Sequence, residues 1–147
     1  MDAEAIQEML LQDRQEWDSL VAALEKHPHE PLHDPESPDW VSRDVYTHLA
    51  SWMEHSTCDL EAHLAGRTLS PLDGTDDEIN AAFQTAHNHM SLDEARAWAQ
   101  REFARRIEAI KAVPLQRWDP ILEAAARADG AQHYRAHHGY IAVFRST

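Results

Sequence analysis

Apolar residues recur every three or four positions along most of this chain, and nowhere do they alternate. A recurrence near 3.6 residues lines apolar side chains along one face of a helix, whereas strands need a period of two. Ile6, Leu10, Trp17, Leu20, Val21 and Leu24 make one such stripe and predict a helix over about residues 3–26. Val41, Val45, Leu49, Trp52, Ser56 and Leu60 make a second, over about residues 42–65, with Ser42 as N-cap and Gly66 as its stop. A short helix is expected over about 77–86. The next opens on the capping box Ser91-Leu-Asp-Glu94 and ends before Pro114, with Leu92, Ala95, Ala99, Phe103, Ile107 and Ile110 inward. A helical turn over about 120–127 and a last helix over about 131–145 complete the pattern.

Between the first two helices stand Pro28, Pro31, Pro35 and Pro38. Proline fixes its own φ and lacks an N–H, so this stretch is a stiff, extended connection. It is too long for a tight hairpin, which leaves helices 1 and 2 free to be crossed rather than neighbours. Four long amphipathic segments in one domain covering 1–147 make an all-α antiparallel bundle the expected architecture.

Charge removes several function classes. Against 26 acidic residues stand 13 Lys and Arg, a formal net charge of −13. Nucleic-acid phosphates and anionic membrane surfaces both call for basic arrays, so neither partner is expected. The start of the chain is acidic and amphipathic, unlike a signal peptide, and no apolar run is long enough to span a bilayer. A cytoplasmic protein is expected. The one cysteine, Cys58, forms no internal disulfide and reads as a small apolar residue without a neighbouring base.

Polar residues on inward stripes carry the chemical information. His133 and His137 are one turn apart and share a face with Tyr140, Ile141 and Phe144. Imidazoles on an apolar stripe need partners: a carbonyl, a carboxylate or a metal ion. Two nitrogens at i and i+4 can face one ion, and a third ligand must then come from another helix. His48, beside Val45 and Trp52, is the best placed, with His55 its competitor. Asp44 lies one turn before His48 and is a candidate to orient its ring. Asp13 interrupts the first stripe and is a candidate base or orienting carboxylate; His55 is a second candidate base, at a cavity mouth. Trp17, Trp52 and Trp98 are candidates either for core or for a ligand pocket. His138 points off the stripe, and His87 and His89 fall in a solvated loop. His27, His29 and His33 flank the prolines as at most a weak metal-scavenging surface. Ligating histidines must be neutral, so an all-histidine site is expected to lose metal as pH falls through about 6.

The run Trp40-Val-Ser-Arg-Asp-Val-Tyr-Thr-His48-Leu-Ala-Ser-Trp52 resembles the second-helix signature of the DinB-like (YfiT-like) four-helix bundle superfamily. His133-Tyr-Arg-Ala-His137 resembles its closing H-x-x-x-H. Asp77-Glu-Ile-Asn-Ala-Ala-Phe83 and Ser91-Leu-Asp-Glu-Ala-Arg96 are similar to the branch that includes the colibactin-resistance proteins. The resemblance implies an up-down-down-up bundle with a long first crossover and short extra helices. It also implies a divalent ion, zinc or nickel, held by His48, His133 and His137. It further implies a small-molecule electrophile as substrate, attacked by water or by a low-molecular-weight thiol, as in the superfamily's hydrolase and S-transferase members. A non-catalytic bundle that sequesters a small molecule or metal is the alternative, and a homodimer is compatible with either.

Overall fold

The computed structural model describes residues 1–32, 34 and 39–146, with 142–146 described by their backbone alone. His33, Pro35, Pro38 and the side chain of Phe144 therefore lie outside the described residues. The protein is all-helical, with no strand among those residues. Its elements are α1 (Ala3–Lys26), α2 (Ser42–Leu64), α3 (Asp76–Ala86), α4 (Leu92–Ala112), a 3-10 turn (Leu115–Arg117), α5 (Pro120–Arg127) and α6 (Ala131–Ser146).

Each helix starts where a side chain can satisfy its unpaired N–H groups. Asp2 accepts from the Ala5 amide. Thr75 and Glu78 form a capping box for α3, and Ser91 and Glu94 form the expected one for α4. Asp119 caps α5, with Pro120 in the first turn, where its missing N–H costs nothing. One cap differs from expectation. Ser42 does not cap α2; its hydroxyl donates to the Leu24 carbonyl at 2.8 Å and ties the end of α1 to the start of α2. Asp44 takes the capping role instead, accepting from the Val41 amide at 3.0 Å. Past α2, Gly66 has φ 77°, a left-handed turn that glycine adopts without strain and that stops the helix.

α2 is the central element and packs most extensively on α4, while α1 packs on α6. Ala50, Ala95 and Ala99 are wholly buried, and small side chains let helices approach closely. The main core joins Trp17, Leu20 and Leu24 of α1 to Val45, Leu49 and Met53 of α2, Phe103 of α4 and Tyr134 of α6. Trp17 stacks on Phe103 at 4.8 Å and meets Tyr134 edge-on at 5.2 Å. Such aromatic pairs add about 1 kcal/mol each beyond the area they bury. A second cluster, with Met9, Leu60, Ile110 and Leu122, closes the other end. No helix among the described residues is long and apolar enough to cross a membrane.

Candidate metal centre

What fixes α6 is a buried polar node. Asp13 of α1 is 2% exposed and pairs with Arg106 of α4, also 2% exposed, at 2.6 Å. The other carboxylate oxygen accepts from the Ala131 amide, the first N–H of α6, at 2.9 Å. Arg106 also donates to the Ala126 carbonyl at the end of α5. Gly130 passes beneath this node: a Cβ there would lie 2.5 Å from Arg106 Nη2 and 2.8 Å from Asp13 Oδ1. Glycine is thus required by space.

With its start held there, α6 turns Tyr134 and Ile141 into the core and His133 and His137 toward α2. The three expected histidines meet. His48 Nε2 lies 3.0 Å from His133 Nε2, which lies 3.2 Å from His137 Nε2. His48 and His137 are buried, and His133 is half-buried. Trp40 packs over His48 and lies parallel to His137.

The trio cannot satisfy itself. A neutral imidazole has one N–H and one lone pair. If His48 and His137 donate to His133 through Nε2, their Nδ1 lone pairs are left buried without donors, and neither Nδ1 has a partner. If the protons sit on Nδ1 instead, three lone pairs confront one another. Burial, followed by repulsion between the neighbouring rings, lowers the pKa of His48 to about 2 and of His137 to about 3. Both rings are therefore neutral donors at neutral pH. Nitrogens bound about 2.0–2.1 Å from one tetrahedral ion would stand about 3.3 Å apart, close to the spacings here. The three histidines lie together and could hold a metal ion.

They open onto a cleft of ≈ 420 Å³. Trp40, Trp52 and Tyr140 give it aromatic walls, and Asp34, Asp76, Asn80 and Asp129 give it polar ones. Trp52 Nε1 donates to Asn80 Oδ1 at 2.7 Å, fixing the α2 wall to α3. Asp129 Oδ1 lies 3.2 Å from His133 Nδ1.

Three sequence expectations are corrected. Asp13 does not face the cleft, because both its oxygens are committed to Arg106 and the α6 terminus. His55 is neither third ligand nor a lining base; it packs edge-on against Trp52 at 6.1 Å, outside the cleft lining. Asp44 does not orient His48, because Val41 and Arg43 take its oxygens. Two smaller readings also change. His87 is half-buried against Trp98 rather than solvated, and Cys58 is half-buried beside Arg105. The sequence reading missed Asp129, Asp34, Asp76 and Asn80. Only Asp129 had an available signal, its position one turn before His133. No protein-family model, curated protein or solved structure matches the chain.

Proposed function

We propose that this protein is a divalent-metal-dependent enzyme of the DinB-like type, an up-down-down-up four-helix bundle acting on a small electrophile by hydrolysis or S-transfer. The observation that carries the reading is the convergence of three Nε2 atoms from α2 and α6 at the wall of a cleft. The pairing of α1 with α6 and of α2 with α4 supports the bundle. A divalent ion bound there, zinc or nickel, would supply Lewis-acid activation of water or a thiol near neutral pH.

The chain's own residues do the remaining work. Trp40, Trp52 and Tyr140 offer apolar faces that hold a substrate body and exclude water. Asp34, Asp76 and Asp129 make the lining acidic, and among the described residues no Lys or Arg lines it. Such a cleft favours neutral or cationic electrophiles over anionic ones. The same field disfavours a polyanionic thiol as co-substrate, which favours hydrolysis of the two reactions.

A second reading, non-catalytic sequestration of a small molecule or metal, is favoured by one observation: neither Asp13 nor His55 lines the cleft. Elemental analysis of the purified protein decides the first step. About one equivalent of zinc or nickel, lost in a His48→Ala variant, is expected. Metal-loaded protein is then assayed against epoxide, activated-cyclopropane and alkyl-halide probes, with and without added thiol. Turnover supports the enzyme, whereas binding without turnover supports sequestration. Purified protein with no stoichiometric metal overturns both metal-based readings.

A further inference from the structure

We infer that Asp129 is a positioning residue for His133, fixing its tautomer so that one lone pair always faces the trio. The inference rests on the metal reading above, but part of its test does not. Asp129 brings a carboxylate up to the trio: its Oδ1 stands 3.2 Å from His133 Nδ1, an ion-pair contact short of hydrogen-bond geometry, since the Nδ1 atoms of all three histidines lack a hydrogen-bond partner. Its side chain is only 15% exposed, so water screens the contact weakly.

The backbone delivers that carboxylate in an unusual way. Asp129 has φ 58°, the positive-φ residue other than glycine among the described residues. Most side chains resist this conformation, and Asp and Asn tolerate it best. The next residue, Gly130, is pinned beneath the Asp13–Arg106 pair, so the chain must turn sharply before α6 can begin. The left-handed turn at Asp129 makes that entry, and it places the carboxylate one helical turn from His133 on the cleft side.

The chemical consequence follows from the ring. A carboxylate beside Nδ1 favours the proton there, leaving the Nε2 lone pair toward His48 and His137. It also strengthens that lone pair as a donor, as carboxylate partners of metal-bound imidazoles do elsewhere. Among the described residues no ion-pair contact reaches His48 or His137, so their tautomers are set only when an ion arrives. His133 is the ring prepared in advance.

Two variants test this without disturbing the backbone. Asp129→Gly removes the carboxylate yet adopts φ 58° freely; Asp129→Asn keeps an acceptor but loses the charge. Asp76→Asn, in the same cleft but on no histidine, is the control. Zinc affinity, measured by competition with a chromophoric chelator, is expected to fall ~10- to 100-fold in Asp129→Gly. A smaller loss is expected in Asp129→Asn, and little change in Asp76→Asn. In metal-free protein, 15N-resolved imidazole spectra at pH 8 are expected to show His133 protonated on Nδ1, and a tautomer mixture in both Asp129 variants. Wild-type affinity in Asp129→Gly, or a His133 proton on Nε2 in the wild type, overturns the inference. If the wild type binds no zinc, the metal reading fails, and the tautomer spectra alone judge Asp129. If Asp129→Gly does not fold, Asp129→Asn carries both measurements.

Discussion

Asp13 and Arg106 stand 93 positions apart in the chain and meet at 2.6 Å in its interior. Their contact is more than an ion pair, because the same carboxylate holds the first amide of α6. The helix bearing two of the three clustered histidines is thus anchored by α1 and α4, not by the site itself. Removing one partner of a buried pair strands the other charge.

Asp13→Ala is accordingly expected to destabilise the fold by about 3–5 kcal/mol, read as a drop in the urea midpoint. Arg106→Met with Asp13→Leu, which removes both charges, should cost less than either single change. A double variant weaker than both singles would show that the pair does not act as a unit.

Gly130→Ala tests the space beneath the pair. The new methyl would sit 2.5 Å from the Arg106 guanidinium. A loss of about 1–3 kcal/mol is expected, together with weaker metal binding as α6 shifts. An alanine variant as stable as wild type would mean that the node yields. Gly139 is the control, since nothing lies within 4 Å of a Cβ there.

Metal-free protein should lose stability in mild acid. The ordinary histidine pKa is 6.5, and burial lowers His48 to about 2 and His137 to about 3. Above pH 6.5 neither the folded nor the unfolded state is protonated at these rings. Below it the unfolded chain takes up protons that the fold excludes. Stability then falls by about 1.4 kcal/mol per pH unit for each ring until the folded values are reached. Urea midpoints from pH 7.5 to 4.5 check the slope, and His137→Leu should flatten it. Equal slopes in the variant and wild type would remove His137 from the account.

The same burial revises the pH at which metal should leave. Free histidines place release near 6, but rings that stay neutral in the fold do not let go there. Metal content and helical circular dichroism, followed together from pH 8 downward, should decline in one transition. Release near pH 6 from fully helical protein would contradict that coupling.

The acidic cleft makes a prediction about ligands. Phenethylammonium should quench tryptophan fluorescence at lower concentration than phenylpropionate in metal-free protein, and added salt should narrow the gap. Asp76→Asn should narrow it too. Equal affinities for both probes would show that the lining carboxylates do not set the field.

Local rules made most of the helices legible. The capping box at Ser91 and Glu94 and the stop at Gly66 follow from chemistry within a few residues. The histidine trio was legible because His133 and His137 share a face and His48 lies on an inward stripe. Asp13 was visible as an oddity, but its partner lies far away in sequence, and no spacing rule reaches that distance. Asp44 was assigned to His48 by helical proximity; nearer donors at Val41 and Arg43 took it instead, as short polar side chains at helix starts commonly do. Tyr134 was hidden by its neighbours: taking His133 and His137 as the centre of the stripe leaves it off-axis. In the fold it is wholly buried, with its hydroxyl 3.1 Å from Met53 Sδ.

The placement of the trio on α2 and α6 has a mechanical side. An ion gripping His48 and His133 would close a loop of 85 residues, as a disulfide would in a chain that had a second cysteine. Unlike a disulfide, the ion leaves when the chain unfolds, so the clasp stabilises by mass action, about 2.7 kcal/mol at a free concentration about 100 times its Kd. Occupancy would then set the protein's resistance to unfolding, and the ion-free form would be the one that proteases open first.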